Sequence, residues 1–99
     1  MAGDWKFLSN HALVLLCIAE DPGVRLRDIA AAVGITERAT HRIVDELAEE
    51  GYISRERRGR RNHYTLQVDL PLRAPLLQNR KLADLLALLT EPKRGVRPT

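Results

Sequence analysis

Five arginines lie close together in the second half of the chain, between Ile53 and Tyr64: Arg55, Arg57, Arg58, Arg60 and Arg61. Glu56 is the only acidic residue in this window, which therefore carries a net charge of +4, whereas the whole chain carries +3. Guanidinium groups form paired hydrogen bonds with phosphate, and a basic cluster on a nearly neutral body is typical of a phosphate-backbone contact. The cluster therefore predicts a polyanionic partner. A solvated charge run without any partner is the alternative interpretation.

A second set of polar side chains is predicted to share the outer face of a helix that begins near Thr36. The inward positions of this helix are Thr40, Ile43, Val44 and Leu47. Removing them leaves five outward positions: Glu37, Arg38, His41, Arg42 and Asp45. Arg38 and Arg42 are four residues apart and so lie on one face. Since arginine is the commonest bidentate partner of guanine, this face is expected to contact base edges. The alternative is an ordinary solvated helix face.

The other polar residues of this helix have separate expected roles. Thr36 and the free backbone N–H groups beside it are expected to bind a phosphate, as helix N-termini do. Glu37 is expected to accept from cytosine N4 or to repel phosphate. His41 is expected to donate to a base or a phosphate, with a plain surface histidine as the alternative. Asp45 is expected to orient an arginine of the cluster, Arg55 for example, and not to contact nucleic acid.

Two helices must precede the one that carries these side chains. The first is predicted over 11–20, with Ser9 as its N-cap and the turn 21–23 after it. Most of its circumference is apolar, so it should be largely buried. The second is predicted over 27–33, and Gly34 is well placed as its left-handed C-cap.

The third helix is predicted from the N-cap Thr36 to about Glu50, where Gly51 stops it. Two helices joined by a turn of about three residues that contains glycine, here 34–36, are typical of a helix-turn-helix. The small alanines at 30–32 allow the two helices to approach closely. The second helix of the pair is then held across the body, where its N-terminal half protrudes.

A β-hairpin with a basic tip is predicted next. Tyr52-Ile53 and residues 64–68 alternate in the manner of strands, joined across 57–61. Gly59 can supply the positive φ angle that a tight loop requires. The hairpin would lie beside the protruding helix.

Four segments carry the pattern of a known family: Asp28-Ile29-Ala30, Val33-Gly34-Ile35-Thr36, Arg42-Ile43-Val44-Asp45-Glu46-Leu47 and Gly51-Tyr52-Ile53. Over roughly 9–68, the chain closely resembles winged helix-turn-helix transcription regulators of the MarR and ArsR-like type. The resemblance implies a mainly α fold with a small β-hairpin wing, a three-helix DNA-binding core and a C-terminal helix. It also implies that the second helix of the helix-turn-helix reads bases while the wing holds phosphates of double-stranded DNA.

The predicted binding residues follow from both arguments together. The base-reading residues are Glu37, Arg38, His41 and Arg42. The phosphate-binding residues are Thr36, Arg55, Arg57, Arg58, Arg60 and Arg61.

The chain is expected to divide into a winged helix-turn-helix domain at 9–70, a leucine-rich helical region at 71–91 and a flexible tail at 92–99. A final helix is predicted from about Leu76 to Thr90. It could fold back on the core or, as we favour, pair with a second copy, joined by Trp5 and Phe7. A homodimer would place two reading helices about 34–36 Å apart on successive turns of the duplex.

Catalysis and metal binding are not expected. The three histidines share no triad or ligand spacing with each other or with the carboxylates, and there is no phosphate-binding glycine loop or nucleophile elbow. No cofactor is therefore predicted. Cys17 is the only cysteine, which excludes an intramolecular disulfide. Cys17 lies in the apolar run of the first helix and is expected to be a core residue, with a redox switch as the alternative.

Neither a secretory signal nor a membrane-length apolar run is seen, so a cytoplasmic, nucleoid-associated protein is expected. A small-molecule effector in a dimer crevice fits the resemblance, although no residue supports it and the chain is shorter than the usual MarR-like members. The alternative functions are an architectural nucleic-acid binder without sequence choice and a protein-interaction module, because a fold does not fix its function.

Overall fold

The computed structural model describes residues 5–77 and 79–90, and the predicted tail at 92–99 lies outside them. Its first three helices are α1 (Asn10–Glu20), α2 (Leu26–Val33) and α3 (Glu37–Glu49). The first and the last residue of each helix both lie within one or two residues of the predicted bounds. Ser9 caps α1 as expected, since its hydroxyl oxygen accepts from the backbone N–H of Ala12 at 3.1 Å.

The turn between α2 and α3 has the predicted chemistry. Gly34 has a φ of +88°, a left-handed conformation that side chains with a Cβ rarely adopt. Its N–H donates to the carbonyl of Ala30 at 2.8 Å and closes α2. Thr36 then caps α3, because its Oγ1 accepts from the N–H of Ala39 at 3.0 Å.

The hairpin consists of β1 (Ile53–Arg58) and β2 (Arg61–Leu66) in antiparallel pairing, with Ile53 opposite Leu66 and Arg58 opposite Arg61. Gly59 and Arg60 alone form the loop, and Gly59 has the expected positive φ, +64°. The prediction that the second strand begins at Tyr64 was wrong by three residues. Both faces of the outer half are open to solvent, so no apolar alternation marks these strands in the sequence.

The core lies between the three helices and the inner half of the hairpin. Its buried residues come from every element: Val14, Leu15, Ile18, Ile29, Val33, Ile43, Val44, Leu47, Ile53, Tyr64, Leu82 and Leu86. Thr40 is the buried polar residue of the described part, and its hydroxyl donates to the carbonyl of Thr36 at 2.9 Å. The predicted inward stripe of α3 is therefore confirmed.

The C-terminal helix is shorter than expected. A 3₁₀ turn at Pro75–Leu77 is followed by α4 (Leu82–Leu89), so the prediction of one helix from Leu76 was wrong. The backbone N–H of Leu72 donates to Arg80 and that of Leu82 to Leu70, both at 2.9 Å, in an antiparallel bridge. Because this bridge needs extended backbone at Lys81, which has a φ of −108° and a ψ of 164°, a helix that starts at Leu76 cannot pass through it.

One face of α4 completes the core and another is left open. Leu82 and Leu86 are buried, whereas Leu88 is 77% exposed. Over residues 5–77 and 79–90, no helix is long and apolar enough to cross a membrane.

Candidate nucleic-acid interface

The four predicted base-reading residues share one exposed surface of α3. Glu37, Arg38, His41 and Arg42 are all exposed and line a single open cleft together with Leu26, Asp45 and Glu46. They are held there because the opposite face of α3 is buried through Ile43, Val44 and Leu47. We call these four side chains the outer face of α3.

The start of α3 lies at one end of this face. The Oγ1 of Thr36 is engaged as the helix cap, so its accepting capacity is partly used. Its hydroxyl proton and the first backbone N–H groups of α3 remain the donors that an anion could meet. Thr36 is exposed, as a phosphate ligand must be.

Carboxylates of α3 set the directions of neighbouring basic side chains. Asp45 Oδ2 lies 3.2 Å from His41 Nδ1, and Glu46 Oε2 lies 3.8 Å from Arg42 Nη1. Glu46 Oε1 also lies 2.7 Å from Nε2 of His11 on α1. The contact of His11 could not be predicted from the sequence, because 35 residues separate it from Glu46 and no local pattern links them.

Asp45 connects α3 to the wing. Arg55 Nη1 donates to Asp45 Oδ1 at 2.9 Å, which confirms the expected pairing. Arg55 lies in β1 on the same face as the buried Ile53, so its side chain passes along the core side of the hairpin towards α3. Its other guanidinium N–H groups are available to a further acceptor.

A second connection holds the wing to the turn between α1 and α2. Arg61 Nη2 donates to the carbonyl oxygen of Gly23 at 2.6 Å, and the backbone N–H of Tyr64 donates to Pro22 at 2.9 Å. These contacts could not be predicted from the sequence, since Gly23 and Arg61 are 38 residues apart. Arg61 therefore positions the wing in addition to its predicted phosphate role.

The remaining wing arginines are exposed at and beside the loop. Arg57 Nε donates to the carbonyl of Gly59 at 3.3 Å, and Arg58 Nη2 lies 3.4 Å from Glu56 Oε1. Arg60 occupies the loop itself. Among the residues described, neither Arg60 nor Arg38 pairs with a carboxylate.

A separate cleft of about 500 Å³ lies between α1, α3 and α4. Leu15, Leu47 and Leu82 contribute to its apolar lining, and Glu46 lines both this cleft and the one along the outer face of α3. The volume suits a small ligand. A small-molecule effector remains the hypothesis that the family resemblance suggested.

Cys17 is half-buried in α1. Burial raises the pKa of its thiol, and the nearby negative charge of Glu20 raises it further. Both effects disfavour the thiolate, which is the reactive form in redox chemistry. Within the described ranges, no group of three or more His, Cys, Asp or Glu side chains is arranged to hold a metal ion.

A family model and several solved structures are similar to this chain. Residues 10–54 match a family model described as winged helix-turn-helix DNA-binding. Eleven chains of solved structures are similar to this one. Among them is the PcaV transcriptional regulator from Streptomyces coelicolor in complex with its natural ligand, with 24% sequence identity and a TM-score of 0.54. No curated protein matches the sequence.

The likeness to PcaV covers 82% of this chain and 56% of PcaV, so the chain spans little more than half of that protein's length. At this identity the likeness is one of fold, and it confirms the mainly α architecture with a hairpin wing. The matched residues include the outer face of α3 but only the first two residues of β1, so the arginines of the wing lie beyond the match. The chain therefore has the winged helix-turn-helix fold, and its residues 10–54 are similar to DNA-binding domains of that fold.

Proposed function

We propose that this protein is a sequence-specific transcriptional regulator that binds double-stranded DNA. The outer face of α3 enters the major groove, and the wing contacts the phosphate backbone or the adjacent minor groove. Arg38 and Arg42 specify bases, with Glu37 and His41 beside them. Thr36 and the wing arginines hold phosphates. No catalytic step belongs to this function.

The contact between Arg55 and Asp45 is the observation that carries the proposal. It joins the base of the wing to the margin of the outer face of α3 through a 2.9 Å ion pair. The protruding helix and the arginine-rich hairpin are therefore adjacent on the molecule and can approach one duplex together. If α3 and the wing lay on opposite sides of the molecule, they could not contact one duplex together.

The chemistry of the outer face of α3 fits a major groove. The groove of B-DNA is about 12 Å wide and admits an α-helix. Arg38 and Arg42 are exposed one helical turn apart. Each can donate two hydrogen bonds to guanine O6 and N7, whereas Glu37 can accept from cytosine N4.

A second copy of the chain is part of the proposal. Leu82 and Leu86 fill the core of one protomer, whereas Leu76 and Leu88 are 91% and 77% exposed. Covering these leucines in a symmetric dimer would present two reading helices to a near-palindromic site. Sedimentation at tens of micromolar should show a species of twice 11.2 kDa, and L88E should dissociate it.

Selection from a random duplex pool tests the function directly. The full chain should retain one duplex sequence selectively, and R38A should relax the preference at one base position while still binding DNA. Uniform, salt-sensitive retention of all duplexes would instead identify an architectural binder. No retention of any duplex would identify a protein-interaction module and overturn the proposal.

A further inference from the structure

A cleft of about 360 Å³ lies between the start of α2 and the outer half of the wing. Its lining includes Arg25, Leu26, Arg60, Arg61 and Asn62. We call it the arginine cleft. Arg25 belongs to none of the predicted binding sets, and only the fold brings it close to the wing.

The arginine cleft has the charge of an anion site. Three of its lining residues are arginines, Asn62 adds an amide donor, and no carboxylate lines the cleft. Over the described residues, none of the three guanidinium groups forms an ion pair. Because arginine keeps its charge at any working pH, three such groups around one space favour an anionic occupant.

Hydrogen bonds within the protein hold the two walls of the arginine cleft together. Arg61 donates to Gly23 at 2.6 Å, and the backbone of Tyr64 donates to Pro22 at 2.9 Å. Gly23 comes just two residues before Arg25. The cleft is thus formed without a ligand, so binding an anion there costs little rearrangement.

The arginine cleft adjoins the cleft along the outer face of α3 at one residue. Leu26 lines both the cleft along that face and the arginine cleft. A duplex laid on the outer face of α3 would therefore bring its backbone past Arg25. A phosphate, with its several acceptor oxygens, suits converging guanidinium groups better than a single carboxylate does.

We propose that Arg25, together with Arg60 and Arg61, binds one phosphate group, and that this phosphate belongs to the DNA backbone beside the bases contacted by α3. The proposal rests on the DNA-binding function proposed above and adds a contact from α2 to it. A free phosphate compound shares the same chemistry and is the other source to be distinguished.

The test compares R25Q with R27Q in the full-length chain. Arg27 is also an exposed arginine of α2, but it does not line the arginine cleft, so it is a matched control. The side chain of Arg25 makes no capping hydrogen bond, so R25Q should leave α2 folded. Circular dichroism should show equal helix content in both variants.

Duplex affinity is then measured against salt concentration. R25Q should reduce the slope of log K against log salt by about 0.9, which is the value for one phosphate contact. If the two proteins bind equally at 1 M salt, this change makes the affinity of R25Q for DNA about eightfold lower at 0.1 M salt. R27Q should keep the wild-type slope. Equal effects of R25Q and R27Q would overturn the backbone contact, while the DNA-binding function itself would stand.

Titration with inorganic pyrophosphate, followed by amide NMR shifts, separates the two sources. Shifts at Arg25, Arg60 and Arg61 that R25Q abolishes support the anion site, even if the wild-type chain binds no duplex. In that case the DNA function fails while the site takes a free phosphate compound. Absence of these shifts, together with an unchanged salt slope in R25Q, overturns the site.

Discussion

The outer face of α3 and the wing carry similar side chains but are positioned in different ways. The outer face of α3 is set by the burial of Thr40, Ile43 and Val44 on the other side of the same helix. The outer half of the wing has no buried side. Its position depends on hydrogen bonds from the side chain of Arg55 to Asp45 and from the side chain of Arg61 to the carbonyl of Gly23.

This difference assigns different properties to the two regions. A helix anchored by the core holds its side chains in one register, which base recognition requires. A hairpin held by a few polar contacts can adjust to the duplex, which is sufficient for binding phosphates that carry no sequence information. Substitutions in the two regions should therefore have different consequences for stability, base preference and salt dependence.

Ile43→Ala should remove the support of α3. Ile43 is 2% exposed, and replacing a buried isoleucine by alanine costs about 2–5 kcal/mol in the free energy of unfolding. Chemical denaturation measures this loss. Val68→Ala, at an exposed valine after β2, is the control and should change the free energy of unfolding little. A loss for Ile43→Ala no larger than that of the control would show that the core does not hold α3.

Arg42→Ala should damage base recognition without unfolding the domain. A lost bidentate contact to guanine costs about 1–3 kcal/mol in DNA binding and relaxes the preference at one base position. Arg42 is exposed, so the free energy of unfolding should remain near that of the wild type. Affinities for the selected duplex and its single-base variants measure the effect. An equal loss on every variant would place Arg42 on the backbone.

Arg60→Gln should weaken binding to all duplexes alike. Arg60 lies in the wing loop, and losing one phosphate contact reduces the salt slope by about 0.9. The selectivity between duplexes should not change. Glu56→Gln in β1 is the comparison of opposite sign: it releases Arg58 and removes no cation, so it should not reduce the salt slope. A changed base preference in Arg60→Gln would contradict the division of roles between α3 and the wing.

Asp45→Asn should have the smallest effect, and in the opposite direction. Asp45 pairs with both Arg55 and His41, and exposed ion pairs contribute about 0–1 kcal/mol to stability. Releasing Arg55 adds a cation for the backbone, so the salt slope should steepen while the selectivity falls. A salt titration of Asp45→Asn, measured in parallel with that of Arg60→Gln, shows whether the slope becomes steeper or shallower. A shallower slope would show that Arg55 needs Asp45 to reach phosphate.

The helices and their caps could be predicted because their signals are local. Ser9, Gly34 and Thr36 act on backbone groups within four residues, so residue type and spacing suffice. The outward set on α3 followed from helical periodicity alone. The strand bounds and the start of α4 were missed, because backbone pairing with distant segments decides both.

Three properties can be read from the amino-acid sequence: which side chains α3 exposes, where α3 begins and which segment carries the excess of arginine. These properties depend on residue type and on a fixed helical period. The tertiary structure alone decided that Arg55 meets Asp45, that Arg61 holds Gly23 and that Arg25 lies beside the wing. Such contacts join residues far apart in the chain, and they form only after the core has packed and fixed the distances between its elements.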